Sequence, residues 1–186
     1  MGRRPGLGIS SMNTMTPEQH TPWSGSELTW HPELYRLDGS SLRMTECAGK
    51  IFEGMTSVSD DIKNSPEYCE AVAERFATSH PLAKELAQDI RNRLDKDPRF
   101  VIVDGLEFQF LPADVRDAFI LGLCTLIGRP TRTDKVEGKI VWDVMPREYL
   151  DHTNTTFSEH SGEAEFHTDS QFFPDPERYF SLWSLR

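Results

Sequence analysis

Two side chains in the last part of the sequence have the types and spacing to hold a metal ion. His167 and Asp169 lie two residues apart in Glu165-Phe166-His167-Thr168-Asp169-Ser170-Gln171-Phe172-Phe173. In an extended strand alternate side chains share a face, so the imidazole and the carboxylate point one way and Thr168 the other. One imidazole and one carboxylate are two corners of the 2-His-1-carboxylate facial triad. That arrangement holds non-haem Fe(II) and leaves coordination positions open for reactants. The third corner has to come from another strand.

The flanks narrow the chemistry. Residues 158–186 read SEHSGEAEFHTDSQFFPDPERYFSLWSLR. A Ser/Gly-rich loop runs into an aromatic-His-Thr-Asp strand, and an aromatic, a proline-containing turn and a hydrophobic strand ending in Leu-Arg follow. In that order the segment resembles the metal-binding region of the taurine dioxygenase and clavaminate synthase-like Fe(II)/2-oxoglutarate-dependent oxygenases. The resemblance implies an α+β fold, a partial double-stranded β-helix of the jelly-roll, cupin-like kind with a layer of helices packed on it. It also implies Fe(II) held by His167 and Asp169, 2-oxoglutarate as co-substrate, O2 as oxidant, and hydroxylation or desaturation of a small molecule such as an amino acid or derivative. Asp169 fills the corner that related halogenases leave to halide, so halogenation is disfavoured.

The same resemblance marks residues for substrate binding. Ser158, Ser161 and Gly162 match the family's loop that closes over substrate. Trp142 stands where relatives that hydroxylate free amino acids carry a substrate-contacting Gln. The family's second His and its 2-oxoglutarate-binding Arg lie on later strands, whereas 186 − 169 = 17 residues follow Asp169 here. The resemblance therefore covers the amino-terminal half of such an enzyme, over residues 27–186. The third ligand is expected from outside this chain, through a complementing polypeptide or a homo-oligomer joined at the exposed sheet edge. Two other classes fit the residues: a non-catalytic remnant acting as a binding module, and a small zinc hydrolase using His152, His160 and His167.

The elements that must position these residues follow from periodicity and turn chemistry. Residues 1–26, rich in Ser, Thr, Pro and Gly, cannot bury enough apolar surface to offset their ordering entropy and are expected to form a disordered tail. Partial alternation over 28–37 predicts a short strand or extended arm, with Asp38-Gly39-Ser40 as its turn. Ser65-Pro66-Glu67 is a helix start, and Tyr68, Val72 and Phe76 supply its apolar stripe. After a break at Ser79-His80-Pro81, Leu82, Leu86, Ile90 and Leu94 predict a second helix.

Phe100-Val101-Ile102-Val103 reads as a buried strand ending at Asp104-Gly105. A third helix is expected from about Pro112 to Ile127, with Gly128 as its cap and Val115, Phe119, Leu123 and Leu126 facing the core. A strand over 138–146 stops at Pro146. The polar stretch 147–162 suits a substrate lid. Tyr179 to Leu185, apolar on both faces, predicts a closing strand buried in a sheet, with Phe172, Phe173, Tyr179 and Trp183 as core aromatics.

Composition bounds the rest. The chain is long enough for one domain. Twenty Lys and Arg against thirty Asp and Glu leave a formal net charge of −10, the wrong sign for a nucleic-acid backbone partner. The cysteines Cys47, Cys69 and Cys124 form no C-x-x-C pair and read as reduced thiols of a cytoplasmic protein. The longest apolar run, Ala118 to Ile127, is too short for a bilayer span, so no membrane partner is expected.

Overall fold

The structure, a computed structural model, describes residues 35–96, 99–131, 138–141 and 177–185. Among these residues 57% are helical. The main elements are strand β1 (Arg36–Asp38), helices α1 (Met44–Ile51), α2 (Asp60–Lys63), α3 (Pro66–Ser79) and α4 (Pro81–Leu94), strand β2 (Ile102–Asp104) and helix α5 (Ala113–Ile127). Short 3-10 turns occupy Ser40–Leu42 and Phe108–Phe110.

The helix start at Ser65 forms as its residue types dictate. The Ser65 hydroxyl accepts the Tyr68 N–H at 3.2 Å, and Pro66 occupies the first helical position, where no N–H is missed. Tyr68, Val72 and Phe76 are buried, joined by Cys69, Ala73 and Ala77. The break at His80 ends α3, and Pro81 opens α4. The buried face of α4 is rotated from the expected stripe: Ala83, Leu86, Ala87 and Ile90 are buried, whereas Leu82 is 40% exposed.

Helix α5 is the hub, because Ala118 to Leu123 are all buried. A helix apolar around most of its circumference is one that neighbours surround. It packs chiefly on α3, where Phe76 meets Phe119 edge-on at 5.6 Å and 79°, and Phe52 closes on Phe76 from 5.5 Å. Gly122 sets the closeness of that crossing, since a Cβ there would lie 3.3 Å from both Phe76 and Val72. Gly128 ends α5 at the expected place with extended backbone, not a left-handed cap, and its N–H bonds the Cys124 carbonyl at 2.9 Å.

Polar links tie the chain between α1 and α3 to this core. The Arg75 guanidinium donates to the Ile51 carbonyl at 2.6 Å, satisfying a carbonyl that the end of α1 leaves without a helical partner. The Tyr68 hydroxyl donates to the Met55 carbonyl at 2.7 Å.

The two strands pair in parallel, Arg36 with Ile102, Leu37 with Val103 and Asp38 with Asp104. Parallel neighbours need a long crossover, and helices α1 to α4 supply it. Both strands end in Asp-Gly, and the two steps nest: the Gly39 N–H bonds the Asp104 carbonyl at 2.7 Å, and Gly105 takes φ +75°. A Cβ on Gly105 would lie 2.9 Å from the Asp38 carboxylate. That carboxylate accepts the Ser40 N–H at 2.9 Å, which holds its pKa below the ordinary carboxylate range.

The double-stranded β-helix expected by resemblance is not what forms. Among the described residues the only sheet is the β1–β2 pair, and helices make the core. Three short-range signals account for the difference. Of the run from Phe100, only Ile102–Asp104 enters the ladder, and its residues are half-buried or exposed. Residues 138–141, the described part of the strand expected to end at Pro146, form no strand, and Gly138 takes φ +71°. Tyr179 to Leu185 forms no strand either.

Candidate functional site

The metal pair His167 and Asp169 lies outside the described residues, as do Trp142, Ser158, Ser161 and Gly162 and the alternative zinc donors His152 and His160. The expected tail over 1–26, the lid stretch 147–162 and the aromatics Phe172 and Phe173 fall there as well. Among the described residues no group of three or more His, Cys, Asp or Glu side chains is placed to hold a metal ion. The geometry that bears on the site is therefore that of the segment following the motif, 177–185, and of the surface receiving it.

That segment has two kinds of anchor. The first is polar: the Tyr179 hydroxyl donates to Asp95 Oδ1 at 2.6 Å, and Arg178 Nη2 donates to the same oxygen at 2.8 Å. Asp95 caps the end of α4, where unpaired carbonyls make a negative charge unfavourable. The two donors offset that cost. The Tyr179 hydrogen bond, helped by Arg178 and Arg91, holds the Asp95 carboxyl below its ordinary range, while the bond to Asp95 raises the Tyr179 phenol.

The second anchor is apolar. Trp183 stands edge-on to Phe108 at 5.0 Å and 87°, and to Phe119 of α5 at 5.9 Å and 83°. Edge-to-face contacts at these distances are favourable beyond the area they bury. The Trp183 indole N–H donates to Ser181 Oγ at 3.2 Å, and Cys124 Sγ lies 3.6 Å from that hydroxyl. Burial on the segment-facing side of α5 raises the Cys124 thiol. Cys47, Cys69 and Cys124 are all free thiols.

Tyr179, Ser181 and Trp183 thus point toward the helices, as period-two alternation requires. The other face is bare, with Phe180 62% exposed and Leu182 79% exposed. This corrects the expected buried closing strand: helices cover one face of the segment, and no described strand pairs with its backbone. Tyr179 is likewise a half-exposed hydrogen-bonding residue, not a core aromatic.

Asp95, Arg178 and Tyr179 are the residues that sequence reasoning missed. They stand 83 and 84 positions apart, and no local period joins them. An acid just past the end of a helix, where the dipole disfavours it, is the one signal that could have flagged Asp95. Among the described residues no helix is long and apolar enough to cross a membrane. Comparison with known proteins returns no matching family model, curated protein or solved structure.

Proposed function

We propose that the chain binds Fe(II) through His167 and Asp169 and is the metal-bearing part of a 2-oxoglutarate-dependent oxygenase that hydroxylates or desaturates a small molecule. The observation that carries this reading is His167-Thr168-Asp169 set between the Ser/Gly loop of 158–162 and the aromatic and apolar residues of 172–185. The donor set fits the ion, since an imidazole and a carboxylate without thiolate suit Fe(II). When bound, the iron with 2-oxoglutarate and O2 supplies the oxidising power for C–H chemistry. The chain's own residues hold the ligands, orient substrate and exclude water.

Anaerobic titration of purified protein with Fe(II) and 2-oxoglutarate tests the proposal. The expected result is stoichiometric iron and a weak visible charge-transfer band, both lost in His167→Ala and in Asp169→Ala while the far-ultraviolet circular dichroism is kept. Equal iron content in variants and parent would overturn it.

A second reading, a non-catalytic interaction module, is favoured by the bare face of 177–185, where Phe180, Leu182 and Leu185 are half or more exposed. Extended backbone that carries exposed apolar side chains, with no described strand beside it, is a template for another strand. Absence of the iron band together with a bound partner strand would favour this reading over the oxygenase.

A further inference from the structure

A cavity of about 310 Å³ opens between the carboxyl end of α5 and the first turns of α3, with α4 beside it. Its polar lining carries both signs of charge. Glu70 of α3 supplies a carboxylate, and Arg91 of α4 and Arg129, just past α5, supply guanidinium groups. Arg91 is shared with the neighbouring cluster, since it also acts on Asp95 and Tyr179. Glu70 and Arg129 are exposed, and neither forms an ion pair with a described residue.

The backbone adds negative potential to the same opening. The last carbonyls of α5 have no helical N–H to accept: that of Cys124 takes the Gly128 N–H at 2.9 Å, and Pro130 brings no N–H at all. Thr125, Leu126 and Ile127, which carry the others, line the cavity. Partial negative charge at the carboxyl end of a helix favours a cation. Standing alone, Arg129 would be an ordinary helix-end cation. With Glu70, Arg91 and an apolar wall around the same opening, the parts are those of a two-headed site. Pro66, Leu126, Ile127 and Pro130 form that wall. Cys69, 1% exposed, adds a thiol that burial keeps neutral and that packs as a small apolar group. The volume lies at the lower end of the range for small-molecule sites, about 300–1,000 Å³, and suits a metabolite of few heavy atoms.

We propose that this cavity binds a small zwitterion, a free α-amino acid with an aliphatic side chain. Its carboxylate is held by Arg129 together with Arg91, its ammonium by Glu70 and the α5 carbonyls, and its side chain by Leu126, Ile127 and the two prolines. A guanidinium fork matches both oxygens of a carboxylate, and an ammonium has three donors to share among a carboxylate and carbonyls. A lone anion would meet Glu70 and the helix carbonyls, and a lone cation would meet two guanidinium groups. Each single charge is thus penalised where the joined pair is not. The inference goes beyond the iron reading and stands without it.

The test uses the full chain at neutral pH with L-valine and its two single-headed analogues, isobutylamine, which lacks the carboxylate, and isovalerate, which lacks the amine. Binding is read by titration calorimetry and ligand-observed saturation-transfer NMR. L-valine is expected to bind at least about tenfold more tightly than either analogue, since each analogue loses one charge-assisted contact. Arg129→Gln should weaken L-valine about tenfold and leave isobutylamine no weaker. Glu70→Gln should weaken L-valine to a similar degree and leave isovalerate no weaker. Both side chains are exposed, so the unfolding midpoint of each variant should stay at that of the parent, which separates lost binding from lost fold. An analogue that binds as tightly as L-valine, no binding of L-valine at millimolar concentration, or L-valine affinity unchanged in either variant would overturn the proposal.

Discussion

The helical core and the segment 177–185 use the same kinds of side chain to opposite effect. In the core Phe52, Phe76 and Phe119 are fully buried and each is gripped from more than one helix or turn. In the segment Trp183 is half-buried on Phe108 and Phe119, and its neighbours Phe180 and Leu182 face outward. A helix presents a broad apolar stripe that several neighbours can cover at once. An extended segment has two faces, and one layer of helices covers only one of them. Apolar content alone therefore does not decide burial; the number of faces a partner can reach does.

If that contrast is right, damage to the core is global and damage to the segment is local. Phe119→Ala is expected to destabilise the fold by about 3–5 kcal/mol, the range for removing a buried aromatic side chain, measured by denaturant unfolding. It should also loosen the segment, because Phe119 supports Trp183. Trp183→Ala should cost less, about 1–2 kcal/mol, given a half-buried ring and two edge-on contacts. Its unfolding slope should stay that of the parent. Equal losses in the two variants would erase the distinction between core and segment.

The core was largely legible because its signals are local. Ser65-Pro66-Glu67 marks a helix start with residues that act within one turn, and Tyr68, Val72 and Phe76 repeat at helical spacing. Side-chain size is a poor proxy for burial in α4, which turns Ala83 and Ala87 inward and leaves Leu82 partly exposed. Helix α1 leaves no clear sequence signal although Met44, Ala48 and Ile51 keep helical spacing, since eight residues broken by Gly49 give too few repeats to stand out. The β1–β2 pairing joins residues 66 positions apart, a relation that no window of sequence contains. The same limit hid Asp95 from Arg178 and Tyr179. Of the candidate site, period two gives His167 and Asp169 a common face in a strand, and their surroundings lie outside the described residues.

A smaller change probes how tightly the core itself is closed. Gly122→Ala adds a methyl that would sit 3.3 Å from Phe76 and Val72. Alanine favours a helix interior over glycine by about 1 kcal/mol, so an open site would gain stability. Phe76 is wedged between Phe52 and Phe119 and has little room to yield. Overpacking costs about 1–3 kcal/mol in well-packed cores. The net expectation is a loss of about 1 kcal/mol, read as a lower denaturant midpoint. A gain in stability would mean that α3 and α5 are less closely fitted than the aromatic contacts indicate.

The smallest expected effect belongs to the polar anchor of the segment, and its pH dependence has a defined sign at each end. Asp95 has a lowered pKa in the fold, so its contribution is present above the ordinary carboxylate range and is lost as pH falls through the folded value. Tyr179 has a raised pKa, so its contribution is full below the ordinary phenol range and is lost as pH rises through the folded value. Between those limits a neutral hydroxyl donates to a charged carboxylate, and the segment stays attached to α4. Tryptophan fluorescence and amide exchange over 177–185 should therefore be level through neutral pH and change at both extremes, ahead of any change in the far-ultraviolet signal of the helices. Asp95→Asn should flatten the acid limb and leave the midpoint of global unfolding nearly in place, because the anchor is exposed and screened by solvent. An acid limb that survives Asp95→Asn would transfer the effect to another carboxylate and leave Trp183 as the anchor that holds the segment.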